Sequence, residues 1–390
     1  MRLAFFGSFY PDTQKAANSS TGMVILLSKR PEIEVIHLVV PKSARLPATV
    51  DASKIAIHPV WRHDNLLSLA RALLALLRVS NGVDGYLFNI HMTSFGKTFS
   101  VNGFGLLVPP IVSKLTRKPV VVYMHNFYST QDASKLGYDP GRIVRTVVRT
   151  LESVLLHATL VVVPLESQKR ALFEKHHTKT EAVFLPYIES IHAVLLTKTK
   201  VGNSGGGPRS ARFLLLGHWG PQKDLIRVWR VLTEIIHEDP SLKATVAGDF
   251  NVNFPVYVKS VLDAKIGVSR GGIEFMGAVS EDDLGGLIES NDILILPYSA
   301  TGGYSGAMNT VAPWDLSIVA YDQPQLRETA GLLGLKVMFI DSESDQSIKS
   351  GIMAALRAHP SKEVHNLMPN RVLETSQSSL SNLLTHFKPQ

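Results

Sequence analysis

Two glycine-rich loops hold the residue types best suited to chemistry. The first is Gly217-His218-Trp219-Gly220-Pro221-Gln222-Lys223-Asp224, between an apolar run and a helical pattern. Backbone N–H groups at a helix start favour an anion, and one ammonium beside free amides suits a diphosphate. A lysine there opposes the helix dipole, a local conflict that points to a ligand, although a plain surface lysine also fits the position. The second loop is Pro297-Tyr298-Ser299-Ala300-Thr301-Gly302-Gly303-Tyr304-Ser305-Gly306-Ala307-Met308-Asn309-Thr310. Gly302, Gly303 and Gly306 permit close approach of backbone to a ligand. Ser305 with the amides of Gly306 and Ala307 has the makings of a phosphate cradle, and an ordinary Gly/Ser turn reads the same way. His125 ends an apolar run and can donate to a sugar hydroxyl or a reacting oxygen. It is one of 14 histidines, and His91 ends a similar run. No His-Glu-x-x-His or Asp-x-Asp spacing occurs, so no metal is expected; Asp341-Ser342-Glu343 and Glu281-Asp282-Asp283 read as loop and helix-cap carboxylates. With no cysteine in 390 residues, thiol catalysis, disulfides and cysteine-ligated zinc are excluded.

The elements that must position these residues follow from periodicity. Residues 2–6, 34–40, 54–60, 85–91, 119–125 and 159–163 are short runs rich in β-branched or aromatic residues, bounded by Gly, Pro, Asn or Asp, and predict strands. Residues 20–29, 65–79, 142–156 and 166–175 carry helical spacing between them. Runs apolar on both faces indicate buried parallel strands covered by helices, the pattern of an open α/β sheet. Near residue 200 the pattern breaks at Gly-Asn-Ser-Gly-Gly-Gly-Pro, a flexible linker. It restarts with strands at 212–216, 242–247, 272–276, 292–296 and 317–321. Helices are expected at 223–237, 254–264, 281–289, 305–312, 325–332 and 347–359. The expected division is one α/β half over 1–196, a linker over 197–210, a second half over 211–372 and a final helix over 373–390. In such a pair a ligand binds between the carboxyl ends of the two sheets.

Composition agrees with a folded protein: 45% hydrophobic, 19% charged, mean hydropathy +0.11. No apolar run approaches the eighteen or so residues a membrane span needs. The apolar start at Met1 to Phe6 is too short for a signal peptide, with Gly7, Pro11 and Asp12 following at once, and an intracellular, cytoplasmic protein is expected. Charge is uneven. Residues 1–200 hold 24 Lys and Arg against 13 Asp and Glu, whereas residues 201–390 hold 16 against 20. A basic half suggests an anionic surface or substrate.

The order and spacing of six segments resemble the GT-B glycosyltransferases, in particular the GT4-like family. Lys223-Asp224 matches the family's Lys-Gly step. Residues 273–284, with Met276 and Gly277, look like its segment beside the nucleotide base. Residues 291–298, ending in Pro297-Tyr298, look like its strand ending in Pro-Ser or Pro-Tyr. Ser305-Gly306 matches one subset of the family, and residues 318–322 match the strand that follows. Val121-Val122-Tyr123-Met124-His125-Asn126 resembles the strand ending in the sugar-contacting histidine, and residues 159–168 resemble the strand and helix start after it. Departures are plain. The family's two glutamates, eight positions apart, are replaced by Gly302 and Thr310, which leaves the ribose to Thr310 or Asn309. The phosphate-loop arginine is missing, with His218 or Gly220 in its neighbourhood. Asp315 stands where glycine is usual, and Gly7, Thr21 and Gly22 only partly replace the paired glycines of the N-terminal loop.

The resemblance implies two Rossmann-like domains facing across a cleft, with the last helix crossing back so that Leu383 and Leu384 pack on residues 1–200. It implies an N-terminal acceptor domain, a C-terminal nucleotide-sugar domain and a metal-independent, retaining hexosyltransferase using a UDP- or GDP-linked donor as substrate. His125 and Lys223 would be catalytic. Gly7, His218, Lys223, Met276, Gly277, Tyr298, Gly302, Gly303, Ser305, Gly306, Ala307, Asn309 and Thr310 would hold the donor. Arg142, Arg145 and Arg149 fall on one helix face and suit an anionic membrane carrying a lipid-linked acceptor. No nucleic-acid partner is expected. A non-catalytic binding or scaffold protein of this fold is the alternative, and a two-lobed small-molecule binding protein a third reading.

Overall fold

The computed structural model describes residues 1–12, 16–130, 141–200, 211–251, 254–268, 272–301, 303–314, 316–358 and 369–387. Two wholly parallel sheets are present among them. The first contains β1 (Arg2–Gly7), β2 (Val35–Pro41), β3 (Ile55–Trp61), β4 (Gly85–Ile90), β5 (Val120–Met124), β6 (Leu160–Val163) and β7 (Glu181–Ala182), in the order β3-β2-β1-β4-β5-β6-β7. The second contains β8 (Arg212–Leu216), β9 (Lys243–Ala247), β10 (Ile273–Gly277), β11 (Ile293–Leu296), β12 (Ser317–Tyr321) and β13 (Val337–Ile340), in the order β10-β9-β8-β11-β12-β13. Each order reverses beside the sheet's first strand, between β1 and β4 and between β8 and β11. There the connections leave on opposite faces and open a crevice at the carboxyl ends.

Helices α1 (Ala17–Ser28), α2 (Leu66–Arg78), α3 (Phe99–Thr116), α4 (Arg142–Ala158), α5 (Glu166–His176) and α6 (Ile191–Lys200) accompany the first sheet. Helices α7 (Leu225–Glu238), α8 (Pro255–Val268), α9 (Glu281–Glu289), α10 (Gly306–Val311), α11 (Pro324–Leu333) and α12 (Asp345–Ala358) accompany the second, and α13 (Pro369–Leu384) closes the chain. One apolar cluster fills the outer face of the first sheet under α2, α3 and α4, and another lies under α7 and α12 on the second. The third cluster is shared. It joins α1, α6 and α13 to α9 and to the inner faces of both sheets, so burial of apolar surface itself holds the lobes together.

Several elements differ from the sequence expectation. Helix α3 was not foreseen because Gly103, Gly105, Pro109 and Pro110 all weaken a helix. It forms because its apolar face is buried between α2 and α4, and Gly105 is required where the Phe95 ring lies on the backbone: a Cβ there would stand 2.1 Å from the ring. Strand β13 was missed too, being short and half-buried. Helix α6 runs to Lys200, so the first residues of the expected linker are helical. Residues 201–210 of that linker, with Gly302 and Asp315, lie outside the described residues. Helix α7 begins at Leu225, two residues after Lys223, because Asp224 takes the cap position.

The final helix crosses back as expected, but it begins earlier, at Pro369, and ends at Leu384. Leu380 and Leu383 are fully buried in the shared cluster, with Leu384 and Phe387 beside them. The Gln377 amide donates to the Leu26 carbonyl (2.9 Å) and the Ser376 hydroxyl to the Pro186 carbonyl (2.8 Å). Among the described residues no helix is long and apolar enough to cross a membrane.

Candidate active site

His125 lies just past β5, buried at the boundary between the lobes. Its backbone is fixed on both sides: its N–H donates to the Ile90 carbonyl (3.2 Å), and its carbonyl accepts from the Gln168 amide (3.0 Å). The loop beyond it is held by Glu152, a buried carboxylate of α4 that accepts the N–H groups of Tyr128 and Ser129 (2.5 and 3.2 Å). Imidazole Nε2 stands 2.8 Å from Asn89 Oδ1, at the end of β4, and 3.1 Å from Ser19 Oγ on α1. The Asn89 amide in turn donates to Ser19 Oγ and Ser20 Oγ. Burial pulls the imidazole down to about 3, so the ring is neutral.

The other face of His125 meets the second lobe. Nδ1 lies 3.1 Å from the Tyr304 hydroxyl, and the two rings stack with centroids 5.7 Å apart. Gly303 fits beneath: a Cβ there would stand 2.8 Å from the His125 carbonyl oxygen. The Tyr304 hydroxyl also contacts Glu189 Oε1, and Glu189 Oε2 accepts from the Asn309 amide (2.5 Å). Burial pushes the Glu189 carboxyl up to about 8. Asn309 additionally accepts the Tyr187 N–H and donates to the Leu185 carbonyl (3.2 Å), pinning Tyr187 in its left-handed conformation (φ 62°). Tyr304 and Glu189 were not foreseen. Glu189 did leave a signal, as a lone carboxylate among Leu185, Ile188 and Ile191.

The other named residues gather at the carboxyl end of the second sheet. Lys223 Nζ sits over the Tyr298 ring, 4.2 Å from its centroid, and 5.6 Å from that of Trp219. It covers Gly217, where a Cβ would stand 2.6 Å from the ammonium. Tyr298 is buried and donates to the Leu216 carbonyl (3.0 Å), while His218 is exposed. Gly277 has φ 73° at the end of β10 with open space where a Cβ would be, and Met276 beside it is 48% exposed. Ser305 caps α10, its hydroxyl accepting the Met308 N–H (3.2 Å). Gly306 and Ala307 form the first turn of α10, half-buried, and Thr310 is buried one turn on. Gly7 backs against the Asn89 carbonyl across the sheet, 2.8 Å from a Cβ placed there. The structure thus brings His125, Asn309 and the 303–305 turn into one hydrogen-bonded group, with Lys223 and Tyr298 forming a second group at β8. Among the described residues no three His, Asp or Glu side chains are placed to hold a metal ion.

A second seam joins the lobes at α9. His192 on α6 makes hydrogen bonds to Thr49 Oγ1 (2.8 Å) and Asp282 Oδ1 (2.9 Å), and the Tyr10 hydroxyl donates to Asp282 Oδ2 (2.9 Å). Beside them the Thr21 hydroxyl donates to Glu281 (3.4 Å), whose carboxyl burial raises to about 8.

Solved structures share this architecture from end to end. Anabaena HepE in complex with UDP and glucose superposes with a TM-score of 0.65 at 11% identity, covering 98% of this chain and 99% of that one. A glycosyltransferase from Rickettsia africae gives 0.62 at 11% identity, over 99% and 97%. The UDP-GlcNAc 2-epimerase from Neisseria meningitidis bound to UDP-GlcNAc gives 0.58 at 14% identity, over 99% and 100%. What is shared at these identities is the fold: two Rossmann-like lobes and a returning C-terminal helix, the GT-B architecture. No family model matches the chain, and no curated protein matches it by sequence.

Proposed function

We propose that this chain is a glycosyltransferase that moves a hexosyl group from a nucleoside-diphosphate sugar to an acceptor, with retention and without a metal. The observation that carries this is His125, held at the lobe boundary against the loop that follows β11. The structures it superposes on include one holding UDP and glucose and one holding UDP-GlcNAc, which supports a sugar nucleotide as the ligand class. On this reading Lys223 meets the departing diphosphate, and the amides around Gly217 and Gly306 add fixed dipoles. His125 lines the sugar end, and catalysis is electrostatic stabilisation and positioning rather than covalent chemistry.

The acceptor side of the reading rests on α4. Arg142, Arg145 and Arg149 are exposed there with Ile143 (82% exposed), Val144 and Val147. Each cation near an anionic leaflet contributes about 1 kcal/mol. A cytoplasmic protein visiting the membrane for a lipid-linked acceptor would use this face. Co-sedimentation with anionic and neutral vesicles at low and high salt tests it: salt-sensitive binding to anionic vesicles alone supports it, and equal binding to both refutes it.

Calorimetry with UDP and GDP tests the donor. Lys223→Ala is expected to weaken the preferred nucleotide by about 1.5–3 kcal/mol, the scale of a charge-assisted hydrogen bond. His125→Ala is expected to leave nucleotide affinity nearly intact and to reduce transfer. A protein that binds UDP yet never turns over UDP-glucose is a binding or scaffold protein of the same fold.

A further inference from the structure

We propose that Glu189 is a proton reserve for His125, joined to it through Tyr304, and that the three groups share one proton across the lobe boundary. The chain runs Asn89 Oδ1, His125 Nε2, His125 Nδ1, Tyr304 hydroxyl, Glu189 Oε1, and Glu189 Oε2 is closed off by the Asn309 amide. Its three links need one proton each. Nε2 must carry the first, because it faces the Asn89 carbonyl oxygen while the Asn89 amide donates to Ser19 and Ser20. The phenol supplies the second. The third resides either on Glu189, giving a neutral chain, or on Nδ1, giving an imidazolium and a carboxylate with Tyr304 between them.

The buried imidazole and the half-buried carboxyl both favour the neutral form, since loss of water disfavours either charge. This agrees with an imidazole pulled down and a carboxyl pushed up. In that form the Glu189 carboxylic O–H donates to the Tyr304 oxygen, and the Tyr304 O–H donates to Nδ1. Conversion to the charged form balances without any further reactant. The Glu189 proton passes to the phenol oxygen as the phenol proton passes to Nδ1, turning Nδ1 from acceptor to donor. The groups facing the chain are Tyr304 and Asn309 from the second lobe, Ser19 on α1, Asn89 on β4, and Tyr123 on β5, whose phenol is raised by burial first and by Glu189 second. His125 and Tyr304 belong to different lobes, so the chain is complete only when the lobes are closed. Glu189 and Tyr304 are positioning residues; their effect on transfer rests on the reading of His125 given above, whereas the shared proton does not.

Infrared spectroscopy of the full chain at pH 6.5 reads the proton directly. A protonated-carboxyl C=O band is expected. Part of it vanishes in Glu189→Gln, persists in Glu281→Gln, and shifts in frequency in Tyr304→Phe. That part titrates with a midpoint near 8. Nitrogen NMR on histidine-labelled protein, with His125 assigned through His125→Asn, is expected to show an Nε2–H ring that stays neutral down to pH 5. In Tyr304→Phe the Nδ1 resonance moves towards that of an unbonded lone pair. A carboxyl band unchanged by Glu189→Gln, or a His125 that titrates as an exposed histidine does, overturns the proposal. With UDP-glucose as probe, Glu189→Gln is expected to lower kcat by about a hundredfold, the lower end for proton transfer by placed side chains, with UDP affinity held. Wild-type protein that binds no UDP would remove the glycosyltransferase reading and leave the spectroscopic result to decide the relay by itself.

Discussion

Both seams between the lobes hold a glutamate, Glu189 half-buried and Glu281 buried, and they treat it differently. At the first, Glu189 is bonded to Tyr304 and Asn309 and lies one phenol away from His125. At the second, Glu281 has a long bond from the Thr21 hydroxyl, and its neighbour Asp282, half-exposed, makes the closer contacts to Tyr10 and His192. The first seam is a continuous chain with every member satisfied. The second is a shorter chain, Thr49–His192–Asp282–Tyr10, which runs through the half-exposed Asp282 and leaves Glu281 outside it. A continuous buried network is costly to break at any one member, whereas exposed contacts give way singly. The seam beside His125 is therefore the rigid one, and the seam at α9 is the yielding one.

Removing Asn309 tests this most severely. Asn309 is fully buried, and Asn309→Ala strands the Tyr187 N–H, the Leu185 carbonyl and one Glu189 oxygen around it; it is expected to cost about 3 kcal/mol of stability in urea unfolding. The pH dependence of stability comes next. Both glutamates are raised to about 8 from an ordinary 4.5, so the folded chain binds more protons than the unfolded one across that window. Their contribution is whole below 4.5 and is lost as pH rises to 8. His125, lowered to about 3 from 6.5, works the other way, and only below 6.5. Between 6.5 and 8 the unfolding free energy is thus expected to fall with a slope approaching two protons. Glu189→Gln and Glu281→Gln should each remove half of that slope, measured as urea midpoints against pH. The smallest effect belongs to Asp282→Asn, expected to cost under about 1 kcal/mol because the carboxylate is half-exposed. A cost equal to that of Asn309→Ala would erase the distinction between the seams.

The sequence made one half of this boundary legible. Its buried parallel strands read as apolar runs, which placed His125 at a strand end and the 297–310 loop after another. The Glu-Asp-Asp start of α9 read as a helix cap, and Ser280 and Asp283 make that cap. Glu189 and Tyr304 stayed hidden because nothing periodic joins residues 125, 189 and 304. They meet only through the crossover turn at Tyr187 and the close approach at Gly303. Helix α3 stayed hidden for the opposite reason: its local propensities speak against a helix, and neighbours that no single window contains overrule them. Lys223 was expected as the first residue of a helix that in fact begins at Leu225, and the aromatic rings beneath its ammonium came from residues whose spacing carried no such message.

The returning helix has a consequence for how the chain is made. Leu380, Leu383, Leu384 and Phe387 complete a cluster begun by Leu3, Phe5 and the residues of α1. A Cβ on Gly85 would stand 2.6 Å from the Phe387 ring, so that ring lies directly on the first sheet. During synthesis the N-terminal lobe leaves the ribosome first, yet the residues that seal it leave only after the second lobe. Domains ordinarily fold in order of emergence, the earliest first. Here the second lobe can finish while the first still lacks its closing side chains. The earlier-born lobe waits, with an apolar groove exposed beside α1, until the whole second lobe has been made. A chain that stops just short of residue 380 lacks those four side chains and leaves that groove uncovered.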